Sequence, residues 1–541
     1  MNNKPVSVNA VIKQLTVRGM VIGGIGAVII TMSSMFVALK LSSLPWPIMF
    51  VALISMFSLK ALGNTNLNEI NVTHTAMSAG AMVSGGLAFT IPGIWILRPD
   101  AEPDFLILLI VSIGGTILGL IFTALIRKYF VETKELPYPM GQAAAETLTV
   151  GDEGGSKAKL LFITIILSGL FALLRDWFHK IPAVLMNQKM VSYGSLGGIW
   201  LSPMLIAVGY IIGPVAISVW FLGAMIGDFG VLIGSQITGI FDYAQANAFK
   251  QSLGIGLMVG TGIGILIKGI LPKAKEIFGG MFSEEAGDSI IKMRWAPIVM
   301  ALLAFVFSIF LNLGAVASVI TILGVWFATA MSAQCVGQSG INPMEIFGIL
   351  VLIAAKAVSN IGDVEAFYVA AIVAVACGLV GDVMNDFKEG YILKSNSKAQ
   401  WIAECIGGII GAVVSVVTLY IIFKAYGGGV IGSEAFPAAQ AAAVASMVGG
   451  ISNMTAFLIG MFAATLLYFI NFPVMTLGLG VYLPFYLSAT AFMGGIIRLI
   501  LDKKVKSPKV FENGNIIASG CLAGEAIIGV VIAIMVAISA I

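Results

Sequence analysis

The stretch ELPYPMGQAAAETLTVGDEGG, Glu135 to Gly155, decides the fold. Pro137 and Pro139 stop any helix that would run through them. A glycine and three alanines follow, then the carboxylate of Glu146 and a polar exit. The piece Pro139–Val150 is too short to cross a bilayer as a helix, yet long apolar segments flank it. Unpaired backbone groups cannot face lipid, so a proline-broken piece at membrane depth lines a cavity. The pattern recurs: Pro139-Met-Gly-Gln142-Ala-Ala-Ala is answered by Pro437-Ala-Ala-Gln440-Ala-Ala-Ala.

Working outward, 59% of the 541 residues are hydrophobic and only 11% charged, with a mean hydropathy of +1.01. Soluble domains carry about 25% charge. The chain is therefore an all-α polytopic membrane protein whose main partner is the lipid bilayer. The polar N-terminus, Met1 to Arg18, has neither an apolar core nor a cleavage site, so no signal peptide is expected. The net charge of +3 is spread over loops and forms no nucleic-acid patch. Lys4, Lys13 and Arg18 favour a cytoplasmic N-terminus, and the basic loop Arg498, Lys503, Lys504, Lys506, Lys509 belongs on the same side. Cys335, Cys377, Cys405 and Cys521 are isolated in apolar surroundings and read as buried free thiols.

Apolar segments predict about 14–16 transmembrane crossings. Stretches such as Thr73–Gly86, Gly254–Gly264 and Ser519–Gly529 are rich in small residues, which lets helices approach closely in lipid. Three markers recur in the same order at offsets near half the chain. They are the two proline elements, Gly209–Met225 against Val481–Ile497, and Gly256–Gly260 against Gly520–Gly524. We read two repeat-related halves, 1–290 and 291–541, each with proline-interrupted half-helices. Corresponding interruptions in two halves point to a transporter's central site. The loop after the second marker holds one base, Lys250, in the first half and five in the second, which leans toward inverted repeats.

Ionisable groups inside membrane segments usually serve a path for substrate or ions. Glu146 follows the first proline element, and Glu525 sits mid-segment in LAGEAIIG. Glu69, Asn71 and His74 form a polar entrance to an Ala/Gly-rich segment. Glu146, Glu525 and Glu69 are the candidates for proton coupling. Tyr138, Pro139, Gln142, Pro437, Gln440, Asn71 and His74 are the candidates for substrate binding, the two glutamines through their amide hydrogen bonds. Asp382 and Asp386, ahead of Lys388, Lys394 and Lys398, read as a solvated cytoplasmic loop, and Asp363 with Glu365 as another loop. No nucleophile–histidine–acid set, phosphate loop or histidine pair appears, so neither an enzyme, a cofactor nor a metal site is expected.

ELPYPMGQAAAE, VGYIIGP, GDVMNDFKEGYILKSNSKAQ, GVYLPFYLSA and ENGNIIASGCLAGEA together resemble the oligopeptide transporter (OPT) family. The match is to its prokaryotic members, related to the plant yellow-stripe-like carriers, and runs from about Arg18 to the C-terminus. The resemblance implies a secondary active transporter of about sixteen helices in two related halves, moving small peptides or metal chelates with protons. Its ELPYP…AE element falls on Glu135, Pro137, Pro139 and Glu146. Its ENN-V-Q-T element falls on Glu69, Asn71 and Thr75, with Ile70 and His74 as departures. Ala81 stands where many relatives carry a glutamate. The expected function is import of short peptides or peptide-like metal chelates across the plasma membrane by proton-coupled alternating access. The alternative is a channel or exporter for another small solute. The resemblance is compatible with a homodimer.

Overall fold

The computed structural model describes residues 14–41, 48–153, 155–273, 295–433, 436, 438–448, 450–504 and 508–539. Pro437 and the expected boundary between halves at 290 and 291 lie outside these residues. The protein is an all-α membrane bundle. Among the described residues the only sheet is an antiparallel ribbon, β1 (Val184–Met186) on β2 (Gly198–Trp200). Nine described helices are long and apolar enough to cross a bilayer, and four shorter apolar helices join them.

The first run of helices is α1 (Val17–Leu41), α2 (Ile48–Leu62), α3 (Leu67–Ala88), α4 (Phe105–Arg127), α5 (Pro139–Glu153), α6 (Gly155–Ala172), α7 (Pro203–Ile212), α8 (Pro214–Ala224) and α9 (Tyr243–Gly264). After α10 (Ala296–Phe310), a second run follows with the same rhythm. It is α11 (Gly314–Ser339), α12 (Met344–Val358), α13 (Asp363–Leu393), α14 (Ser397–Tyr426), α15 (Ala439–Met447), α16 (Met454–Phe469), α17 (Val474–Tyr482), α18 (Phe485–Lys504) and α19 (Pro508–Ser539). Apart from the short helices Gly93–Leu97, Gln188–Val191 and Gly234–Thr238 and the ribbon, the two runs hold nine described helices each, with α10 between them. Local chemistry sets the starts: the side chains of Asn66, Asp104, Ser202, Asn396 and Asn453 each accept a backbone N–H of the following first turn.

Corresponding parts pack on one another across the halves. Tyr138 and Ala438, each just ahead of a proline-element helix, share a left-handed backbone with φ of 45° and 43°. The Tyr138 N–H donates to Gly337 O at 3.0 Å, and the Ala438 N–H donates to Leu39 O at 3.1 Å. Each proline element is thus fastened to the end of the first helix of the other half. Likewise α9 lies on α16, with Gly256 and Gly260 over the carbonyls of Phe457 and Met461. The mirror contact sets Gly520 and Gly524 of α19 over Leu161 and Ile165 of α6. These glycines are needed for the approach, because a Cβ there would meet backbone.

The second marker proves to be a pair of broken helices. The chain is interrupted at Gly213 (φ 89°) between α7 and α8, and at Leu483–Pro484 between α17 and α18. Gly209 and Gly494 bring α7 against α18, while Gly223 and Gly480 bring α8 against α17. The first piece of each segment thus packs on the second piece of the other, and α8 and α18 run antiparallel, with Pro214 and Ile217 beside Gly495 and Phe229 on Phe485. The same holds for α3 and α13, which cross where Gly378 meets the Met82 carbonyl.

One end of the bundle gathers Arg18, the loop at Gly63–Asn66, the ion pair Lys60–Asp152 and the loop after Leu393, where Ser395 donates to Asn68. The opposite end holds the pairs Lys424–Glu102 and Lys356–Asp363. Two expectations about charge are corrected here. Lys250 is no loop base: it lies in α9, buried, with its Nζ 2.8 Å from Asp228. Asp382 and Asp386 are no solvated loop: α13 runs on to Leu393, and both side chains are fully buried.

Candidate functional site

Two adjoining regions bring the chain's unusual residues together. The first is where the helix interruptions meet. Met140, one residue into α5, packs with Leu205, Val208, Tyr210 and Ala491 of the broken pair, with Ile341 and Leu483 alongside. The start of α5 therefore lies against the middle of α7, with Pro139 beside Val208 and Gly340. A helix start presents unpaired N–H groups and the positive end of the helix dipole, which suits an anionic ligand group. No atom stands within 4 Å of where a Cβ would sit on Gly213, so space opens beside that break. Tyr138 is fully buried and its hydroxyl donates to the Ala333 carbonyl at 3.0 Å. Gln142 and Glu146, on the next turns of α5, are half-buried.

The proline elements do not face one another. The N–H of Gly141 donates to Asn385 Oδ1 at 3.0 Å near one end of α13. Ala441 lies with Gly93 against Phe367 near the other end. At 1.5 Å per residue those two points on α13 are about 27 Å apart. The backbone correspondence of Tyr138 with Ala438 also shifts the sequence match by two residues. Gln142 is the fourth residue of α5, whereas Gln440 is the second of α15.

The second region is polar and completely enclosed. The sequence singled out Asn71 and His74 as part of an entrance, whereas both are fully buried here, and it missed the acidic residues around them. On α13, Asp382, Asp386 and Glu389 recur at helical spacing and project from one face toward α3 and α14. From α3 come Asn71, His74 and Ser78, and from α14 come Gln400 and Glu404. All eight side chains are fully buried. His74 Nε2 lies 2.9 Å from Glu389 Oε1 and 3.3 Å from Asn71 Nδ2. Ser78 Oγ donates to Asp386 Oδ2 at 3.1 Å, and Gln400 Nε2 donates to the Asp386 carbonyl at 2.7 Å. These bonds leave much of the set unmatched. Both oxygens of Asp382, both of Glu404, Asp386 Oδ1, Glu389 Oε2 and Gln400 Oε1 take no hydrogen bond from a nitrogen donor, and the carboxyls of Asp386 and Glu404 are neighbours. The signal was in the spacing 382, 386, 389, hidden because the flanking lysines make the segment read as solvated. Asn385, on the neighbouring face, ties this region to the start of α5.

The other expected coupling residues lie elsewhere. Glu69 accepts from Arg18 Nε and Nη2 at 2.7 Å each, from Thr16 at 2.7 Å and from Thr65 at 2.8 Å. Glu525 accepts from Arg175 Nη2, Ser202 Oγ and the Met204 N–H, all at 2.8 Å. Each carboxylate is thus held by an arginine. An apolar recess of about 520 Å³ between α9, α11, α12 and α16, lined by residues such as Val259, Leu323, Phe327 and Phe457, includes none of the expected site residues.

The chain matches the profile of the OPT oligopeptide transporter protein family over residues 14–536. It is 26% identical to the "Putative oligopeptide transporter" of Haemophilus influenzae, over 90% of this chain and 90% of that protein. It is 27% identical to the "Probable metal-nicotianamine transporter YSL13" of Oryza sativa subsp. japonica, over 28% of this chain and 24% of that protein. With a match that runs almost end to end over a helical bundle of interrupted segments, the chain belongs to the OPT oligopeptide transporter family, a family of multi-pass membrane transporters and not of enzymes.

Proposed function

We propose that this protein is a secondary active transporter that imports short peptides or peptide-like metal chelates by alternating access, driven by protons. The observation that carries the reading is the interlocked pair of broken helices, with the start of α5 packed against one of them through Met140, Leu205 and Val208. Broken helices at the meeting of inverted repeats build substrate sites in many secondary transporters. The start of α5 would receive a peptide carboxylate, and the Gln142 amide would hydrogen-bond its backbone. Glu146, one turn further along α5, is the proposed proton carrier. A substrate class of peptides or chelates accords with the names of the two relatives. The end of the bundle that bears Arg18, Lys60 and Lys394 is assigned to the cytoplasm of a plasma membrane under the positive-inside rule.

The test is uptake into proteoliposomes of a defined set of short peptides, with and without bound iron, under an imposed pH gradient. Accumulation that requires the gradient is expected. Equilibration without accumulation would point to a channel, and no uptake under any gradient would remove the reading. Gln142→Ala is expected to lower uptake at least tenfold. Gln440→Ala, at the far end of α13, is expected to weaken uptake less; equal and wild-type rates for both would take the amides out of the site.

A further inference from the structure

The enclosed acidic region asks for a cation. Asp382, Asp386, Glu389 and Glu404 are four carboxyl groups without exposure to solvent. Among the described residues, no lysine or arginine forms an ion pair with any of them, and His74 on Glu389 is the sole basic neighbour at that distance. Buried carboxylates are normally paired or bound to metal, because leaving them bare costs several kcal/mol each, of order. Here six carboxylate oxygens, both of Asp382 and both of Glu404 among them, take no hydrogen bond from a nitrogen donor, and Glu404 is set against another carboxyl, that of Asp386.

The donors are also gathered closely enough to share an ion. One atom each from His74, Asp386 and Glu389 lie within 4.8 Å of one another, and so do one each from Asp382, Asp386 and Glu404. Bonds of about 2.1 Å place opposite donors around one ion about 4.2 Å apart, so a small inward movement of side chains suffices. Asp386 belongs to both sets.

The repeat offers an internal control. Setting Leu67 of α3 against Asp363 of α13 places Gly86, Thr90 and Gly93 at the positions of Asp382, Asp386 and Glu389, and Ala370 at that of His74. The other end of the α3–α13 crossing is therefore built without counterparts of His74, Asp382, Asp386 and Glu389. The fold does not require them.

We propose that His74, Asp382, Asp386, Glu389 and Glu404 form a buried divalent-cation site between α3, α13 and α14. An imidazole nitrogen among carboxylate oxygens favours a first-row ion such as Mn²⁺, Fe²⁺ or Zn²⁺ over Mg²⁺ or Ca²⁺. A divalent ion also offsets two carboxylates at once, where a monovalent ion offsets one. This ion is bound by the protein itself and is separate from any metal carried within a chelate substrate.

The test uses the full chain in detergent, stripped with EDTA and then dialysed against Mn²⁺ or Zn²⁺ alone. Bound metal is measured by elemental analysis and thermal unfolding is followed in parallel. Wild-type protein is expected to retain at least one equivalent and to unfold at a higher temperature with metal than without. Glu404→Gln and Asp386→Asn should each weaken retention by more than about tenfold. If a variant does not fold, the wild-type comparison with and without EDTA still decides. Absent retention by the wild type, equal retention by wild type and variants, or stabilisation by Na⁺ but not by divalent ions would each overturn the proposal. Peptide uptake is measured on the same preparations. Wild-type protein that retains no metal yet shows gradient-driven uptake sinks this inference alone, and metal retention without any uptake sinks only the transport reading.

Discussion

At the residue scale, Glu525 is the most instructive position. Its place in the middle of an apolar segment announces a functional carboxylate, yet its oxygens are filled by Arg175, Ser202 and the Met204 N–H. The side chains of Arg175 and Glu525 are only 3% and 5% exposed, so removing one strands the other's charge. Arg175→Ala is expected to cost about 3–5 kcal/mol, read as a lower unfolding temperature in detergent. Arg175→Met combined with Glu525→Leu should recover most of that loss. Glu525→Gln separates two roles. A locking carboxylate loses stability but keeps gradient-driven uptake per folded molecule, whereas a coupling carboxylate loses the response to the pH gradient. The sequence made Glu525 conspicuous because it stands alone. It concealed Asp382 and Asp386 because lysines follow them, and no hydropathy window separates a wetted loop from a buried helical face with the same letters. Their one legible trace was the recurrence at 382, 386 and 389 on a single helix face.

At the element scale, the interruptions were legible and their partners were not. Pro137, Pro139, Pro214 and Pro484 mark breaks by backbone chemistry alone. Which broken piece lies on which depends on small residues whose meaning is relational. Gly209 accepts no Cβ because the Ala491 carbonyl occupies that place, and Gly494 stands likewise over Ile206. Gly209→Val is therefore expected to push α7 off α18 and to cost about 1–3 kcal/mol. Gly429, which faces no atom within 4 Å, is the control: Gly429→Ala should leave the unfolding temperature unchanged. The match of the two glutamines misled for a related reason. Alanine-rich runs align with themselves at several registers, and only the left-handed backbone at Tyr138 and Ala438 sets the true one.

At the scale of the whole molecule, the three markers in order announced duplication, but nothing in the letters showed how the halves embrace. Each half lends its proline element to the other's first helix, and each takes its close packing for α9 or α19 from the other's α16 or α6. Neither half holds all the surfaces it must bury. Expressed alone, residues 1–290 and 291–541 are each expected to be degraded. Expressed together as separate chains, they should co-purify in equal amounts from the membrane. A stable, monodisperse half on its own would refute this interlock.

Helix α10, between the two runs, bears on their sense in the membrane. The first run begins at Val17 and finishes, along α9, at the same end of the bundle. A second copy joined directly to it would enter the membrane in the same sense and could not pack antiparallel. One additional crossing turns the copy over, and Ala296–Phe310 supplies it. The groups around His74 stand at one end of the α3–α13 crossing only, so a near-symmetric frame holds two unlike ends.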